Sequence, residues 1–315
     1  MSLMNKIKRL DRLFRVYGRN FLTVSNQIAD TKILAAKVML NQLADKGVIG
    51  NIRDAEFKVF SQFCEDGIIQ YLIRQVGNLD RSTFIEFGVE NYEEANTRFL
   101  LVNNNWSGLI LDSSPRNIAH VRDTQLFWNH NLTAVASFID AENIDSLIVQ
   151  NGFAGREIGL LSIDIDGNDY WVWREISVIE PVIVIIEFNS VFGSLHAITV
   201  PYDPKFIRSQ AHSSCLYFGA SLKALELLGK CKGYALVGCN SAGNNAFFVR
   251  QDRLNGLPVL STKDAYVESQ FRESRDEYGN PTFIAGAARL EQIKNMPVYD
   301  VERNVILKIS ELALV

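Results

Sequence analysis

The run Leu161-Ser-Ile-Asp164-Ile-Asp166-Gly167-Asn-Asp169 gathers three carboxylates around a glycine that permits a tight turn. Elsewhere Glu86 stands two residues before Gly88, Asp112 closes an apolar run, and Glu187 closes another. Carboxylates are expensive to bury unless partnered. Acids that collect at one place therefore point to a hydroxyl-rich or cationic ligand, or to a metal.

The elements around these residues say how they are brought together. Residues 83–88, 107–112, 132–136, 158–164 and 181–187 are short apolar runs and predict five strands, alternating with helices. Strands apolar on both faces and separated by helices indicate a parallel sheet covered on both sides. Helices are predicted at 65–76, 96–103, 216–230 and 287–295. The runs at 234–239 and 246–250 flank Asn240-Ser-Ala-Gly-Asn-Asn245, turn chemistry that makes a β-hairpin and places one antiparallel strand at the far side of the sheet. The predicted organisation is a helical extension over 1–55, an α/β domain over 56–252 and a mixed appendage over 253–315.

At 315 residues, 47% hydrophobic and 22% charged, the composition is that of a globular protein with a substantial core. A net charge of -4 gives no basic footprint for a nucleic-acid partner. Cys64, Cys215, Cys231 and Cys239 form no CxxC pair and no zinc spacing, a usage that suits a reducing cytoplasm. No run of about 18 apolar residues predicts a membrane span. The basic stretch at 6–15, with Ile7, Leu10, Leu13 and Phe14 near one face, reads either as a helix resting on an anionic membrane or as a packing or dimer helix.

In an open parallel sheet, ligands bind beyond the carboxyl ends of the strands where the strand order switches. The predicted ends carry Glu86 and Gly88, Asp112, Ala136 and Ser137, Asp164, and Glu187. Asp112 ends the second strand and is placed to accept hydrogen bonds from ribose hydroxyls. Its competing role is to cap a helix begun by Ser113, Ser114 and Pro115. Gly88 allows a sharp turn close to a ligand. A single glycine here departs from the three-glycine dinucleotide fingerprint, and no Gly-x-x-x-x-Gly-Lys run makes a P-loop.

Taken in order, Glu86-Phe-Gly88, Asp112, Asp164-Ile-Asp-Gly and Glu187 resemble the class I S-adenosylmethionine-dependent methyltransferases, a Rossmann-like fold that also ends in an antiparallel hairpin strand. Gln62-Phe-Cys-Glu65-Asp66-Gly67-Ile-Ile and the Asp164–Asp169 run resemble the FkbM-like group of that fold, which often modifies sugars and surface glycans. The resemblance covers about residues 57–250. It implies that Glu86 and Gly88 hold the methionine end of S-adenosylmethionine, that Asp112 and Ser113 meet the ribose, that Ser137 and Phe138 border the adenine, and that Asp164 touches the cofactor. It implies O-methylation of a sugar, glycan or other polar metabolite. Glu90 and Tyr92 stand where the family's motif has glycines, and larger side chains there narrow the loop.

Three readings of the acidic run stand side by side. Asp164, Asp166 or Asp169 touches cofactor or acceptor; or Asp166 and Asp169 join Glu187 to bind Mg²⁺, as the resemblance permits; or Asp166 and Asn168 cap the helix that begins at Tyr170. An EF-hand is excluded because the closing glutamate is missing. A base for the acceptor hydroxyl comes from Asp166, Asp169, His196 or His212. Residues 190–212 predict a lid over the acceptor. Two rivals to the transferase are a non-catalytic scaffold in glycan assembly and a metal-dependent enzyme built on the acid cluster. A homo-oligomer is compatible with all three.

Overall fold

The computed structural model describes residues 24, 27–79 and 82–314. The chain divides into two compact units, residues 1–47 and 48–315. In the first, residues 27–46 are helical; the basic stretch at 6–15 lies outside the described residues.

The second unit is built on a seven-stranded sheet. Five strands, β1 (Thr83–Phe87), β2 (Ser107–Asp112), β3 (Leu132–Ala136), β4 (Ile158–Ile163) and β5 (Ile183–Glu187), are parallel. After the short β6 (Ile198–Thr199), the hairpin β7 (Tyr234–Cys239) and β8 (Asn245–Arg250) completes the sheet in the order β3-β2-β1-β4-β5-β8-β7. β8 runs antiparallel to both β5 and β7, so a single strand opposes the rest, as a Rossmann-like sheet with a terminal hairpin requires. Every residue of β1, β4 and β5 is buried, which explains their continuous apolar spelling.

Register carries the strand ends to a common edge. Phe87 pairs with Leu111 on one side and Ile163 on the other, so Gly88, Asp112 and Asp164 emerge beside one another. Glu187 pairs with Asn245 across the β5–β8 boundary. Between β1 and β4 the chain reverses the direction in which it adds strands, which is the switch point.

The two acids of the motif ahead of β1 tie main chain and hairpin together. Asp66 Oδ2 accepts from the main-chain N–H groups of Val59, Phe60 and Ser61 at 2.7–2.8 Å, closing a loop at the start of the helix Glu65–Val76. Glu65 Oε1 accepts from the amides of Asn240 and Asn245 at 2.8 and 2.9 Å and ties that helix to the hairpin turn. A Cβ on Gly67 would stand 1.9 Å from the Ala55 carbonyl oxygen, so only glycine fits.

Two elements differ from expectation. The helix predicted from 216 begins at Leu222, after Ser221 caps it through Ala224 N–H. Leu216, Tyr217, Phe218 and Ala220 are buried, but in irregular chain that turns at Gly219 with φ +60°. Residues 253–315 belong to the same compact unit: β9 (Pro297–Asp300) pairs with β6, and β10 (Val305–Lys308) completes a second sheet of three strands.

Candidate active site

A cleft of about 850 Å³ opens at the carboxyl edge, lined by Gly88, Asp112, Asp164 and Glu187 together with the hairpin turn and residues 269–273. Nine carboxylates and three arginines are its titratable lining, and among the described residues no histidine, lysine, tyrosine or cysteine joins them.

On the β1 side, Glu86 Oε1 accepts from Asn96 N–H at 2.8 Å, and Oε2 from Thr97 N–H at 3.0 Å and the Thr97 hydroxyl at 2.5 Å. Burial raises its pKa to about 7, against the pull of those donors. Gly88 turns at φ +74°, and a Cβ there would lie 1.6 Å from the Asp164 carbonyl oxygen. Glu90 and Tyr92 adopt φ +47° and +61°, the left-handed conformation glycine would take freely. Each non-glycine residue held there costs on the order of 1–2 kcal/mol. The expected narrowing by Tyr92 does not occur. Its ring is buried beneath the loop, and its hydroxyl lies 2.8 Å from Thr97 Oγ1, which donates on to Glu86. Glu90 does line the cleft.

Asp112 is 7% exposed. Its Oδ2 accepts from Glu90 N–H and its Oδ1 from Ser114 N–H, each at 2.8 Å. The cap of the helix Pro115–Arg122 is Ser114, through Asn117 N–H, so Asp112 does not perform that role. Ser113, Ser137 and Phe138 line the cleft beyond β2 and β3, and Phe138 is 44% exposed.

The three acids of the run do different things. Asp169 is fully buried and holds the turn, its two oxygens accepting from Ile165 and Gly167 N–H at 2.9 Å; burial raises its pKa to about 6. Asp166 is exposed at φ +59° and pairs with Arg208 at 2.8 Å. Asn168 stands at the N-cap position of the following helix, but neither it nor Asp166 makes a side-chain capping bond there; the Asn168 amide donates to the Asp203 carbonyl at 2.8 Å. Burial pushes Asp164 and Glu187 well above the usual carboxylate range; the neighbouring Asp166 and Asp169 add to the shift of Asp164, and Asp164 adds to that of Glu187. The carboxylates whose oxygens converge within 4.8 Å are Asp164, Asp169 and Glu187, so Asp164 takes the place expected of Asp166 in that set. Glu187 Oε2 is buried without a hydrogen-bond partner.

Neither histidine reaches the cleft lining. His196 lies before β6, where its carbonyl accepts from Ser221 Oγ, and His212 Nδ1 is 2.8 Å from Ser214 Oγ. The expectation of His196 as base is therefore not met: the chain folds this loop against the helix Leu222–Cys231 rather than over the strand ends. Of residues 190–212, Ser190, Val191 and Arg208 do line the cleft. Sequence reasoning missed Phe63, Arg272 and Arg289. Phe63 sits inside a motif that was recognised, whereas the two arginines come from a distant segment with no local signal.

No protein-family model matches the chain, and no curated protein is found as a relative. Among solved structures it is similar to an S-adenosylmethionine-dependent methyltransferase from Clostridium acetobutylicum, with 11% identity, coverage of 59% of this chain and 89% of that one, and a TM-score of 0.39. It is also similar to TrmK of M. capricolum in complex with S-adenosyl-homocysteine (10% identity, 57% and 66% coverage, TM-score 0.34). A third likeness is the N-terminal domain of EvdMO1 with S-adenosyl-homocysteine bound (9% identity, 59% and 79% coverage, TM-score 0.38). Likenesses at this level carry no assignment of ligand or reaction.

Proposed function

We propose that this chain transfers a methyl group from S-adenosylmethionine to an oxygen of a sugar, glycan or other polar acceptor. The observation that carries the reading is Asp112: a carboxylate at the end of β2, bordering the cleft, fixed by two main-chain N–H groups at 2.8 Å and by a long 3.4 Å contact from the Asn117 amide that a ribose hydroxyl can replace. The surrounding residues fit the same cofactor. Gly88 brings backbone close to the Asp164 carbonyl, and Phe138 offers an open aromatic face for a purine. The excess of carboxylates over arginines favours a cation.

When bound, S-adenosylmethionine supplies a methyl group on positive sulfur, which leaves as a neutral thioether. The chain's part is to hold both reactants, exclude water and receive the acceptor's proton. Glu86 and its donors fix the β1 loop on the cofactor side. The proton goes to a carboxylate, since among the described residues no histidine, lysine, tyrosine or cysteine lines the cleft. Six of the nine are committed: Glu65 to amides, Glu86 and Asp112 to main-chain N–H groups, Glu94 to Lys58, Asp166 and Glu273 to Arg208. Glu187 keeps an oxygen free. The FkbM-like resemblance of the Asp164–Asp169 run supports a glycan acceptor.

Calorimetry with S-adenosylmethionine tests this. Wild-type protein is expected to bind, and Asp112→Asn to bind about 100-fold more weakly, the loss of a charge-assisted hydrogen-bond pair. Absence of binding by the wild type would sink the reading and favour a scaffold, while an unaffected variant would remove the ribose role. The partnerless Glu187 Oε2 beside Asp164 and Asp169 favours one second reading, a divalent cation at that point. On that reading Mg²⁺ raises the melting temperature and EDTA reverses it; no shift in either direction disposes of it.

A further inference from the structure

The cleft divides along the order of the sheet. Toward β1, β2 and β3 its wall carries Glu86, Glu90, Asp112 and the open ring of Phe138. Toward β5 and β8 it is closed by the hairpin turn and residues 269–273, and all three lining arginines stand on this side. Two of them bind the stretch 271–273, and the third belongs to it. Arg289 Nη1 donates to the Phe271 carbonyl at 3.5 Å, Arg208 pairs with Glu273, and Arg272 lies between.

The three are not equally committed. Arg208 is held by Asp166 and Glu273 and stacks 3.6 Å over the ring of Phe218. Arg289 is 5% exposed at its side chain and pairs with Glu268 at 2.8 Å, yet its buried Nε finds no acceptor among the described residues. Arg272 is exposed and has no ion-pair or hydrogen-bond partner among the described residues. A guanidinium donor left without an acceptor in a buried place is costly, and a planar anion satisfies it in two directions at once.

Beside these groups Phe63 and Phe271 stack with centroids 4.4 Å apart, and both border the cleft. Asn244, Asn245 and Ser269 add amide and hydroxyl groups, and Asn245 Oδ1 is itself without a partner. Aromatic carbon suits the C–H face of a pyranose, amides suit its hydroxyls, and free guanidinium suits a negative substituent.

We propose that the acceptor is an anionic saccharide, a sugar bearing a carboxylate or a phosphate, whose ring lies against Phe63 and Phe271 and whose negative group is held by Arg272 and Arg289. The proposal rests on the methyl-transfer reading and narrows its acceptor.

Glucose, glucuronate, glucose 1-phosphate and inorganic phosphate are titrated calorimetrically into the full chain, with and without S-adenosyl-homocysteine. At least one charged sugar is expected to bind about tenfold more tightly than glucose, and Arg272→Gln to remove about that factor. Added salt weakens the same complex. Whether glucuronate or glucose 1-phosphate binds more tightly identifies the anion. Equal binding of glucose and the charged sugars, no binding of either charged sugar, or unchanged affinity in Arg272→Gln overturns the proposal. Phosphate alone matching glucose 1-phosphate overturns its saccharide part. Arg272 is exposed, so its replacement leaves the fold intact. S-adenosylmethionine titrated into the same two proteins separates the failures. Its equal affinity for both is expected, and wild type that binds charged sugar but no S-adenosylmethionine loses the methyl-transfer reading alone.

Discussion

Alanine at Gly88 is expected to destabilise the protein by about 3–5 kcal/mol, the range of a severe steric intrusion added to left-handed backbone strain. The added methyl would lie 1.6 Å from the Asp164 carbonyl oxygen and 2.8 Å from its carbon, both main-chain atoms of the segment that follows β4. Neither rotates away. Relief requires β1 and β4 to part at their ends, where Gly88 N–H also donates to the Leu111 carbonyl at 2.9 Å. Gly155 isolates the steric part. It lies in the turn closed by Arg156 N–H on the Phe153 carbonyl, at φ +71° against +74° for Gly88, but a Cβ there meets nothing within 4 Å. Gly155→Ala should cost only about 1 kcal/mol, the conformational part. Urea denaturation of the two variants measures the difference, and equal losses would show that the close crossing of β1 and β4 contributes nothing.

The second large effect is on pH. Glu86 titrates at about 7 and Asp169 at about 6, both raised chiefly by burial. Asp164 and Glu187 are shifted in the same direction. A carboxyl raised by folding binds its proton more tightly in the native state. Below the ordinary carboxylate range both states are protonated and its contribution to stability is fully present. As pH rises, the unfolded chain ionises first, and the contribution is lost until the native group ionises too. Stability should therefore decline from about pH 4.5 to about 7, each such group adding a slope of up to about 1.4 kcal/mol per pH unit within its window. Glu86→Gln should flatten the profile between pH 5 and 7 by about 1 kcal/mol per unit, whatever it does to absolute stability. Denaturant midpoints across that range decide it. An unchanged slope would mean that Glu86 ionises at the same pH folded and unfolded.

The strands were readable because burial on both faces forces an unbroken apolar spelling, closed by a glycine or an acid. β2 and β3 begin and end at the residues where those runs do, and β1 stops one residue short of its run, at Phe87 before the turn of Gly88. The same rule misled at 216–221. Those residues are apolar because they are buried, not because they are helical, and only Gly219 and the capping serine mark the break. The small sheet was invisible, since strands of two and four residues carry too little periodicity to distinguish them from loop. Within the site, strand-end acids were legible from position alone. Their division of labour was not: Asp169 turned out to be a turn anchor, through main-chain groups four and two residues before it, and Asp166 a partner of Arg208, which only the fold brings near.

The last strand of the large sheet has one further consequence. β7 is an edge, yet all six of its residues are buried. Ile52 packs against Gly238, and Leu260 N–H donates to the Leu236 carbonyl at 2.9 Å, so chain from before β1 and after β8 covers a border that would otherwise template another strand. Residues beyond 252 are thus a guard against self-association as well as a wall of the cleft. A fragment ending at 252 would expose an apolar ladder with free main-chain groups and would be prone to join its own copies edge to edge.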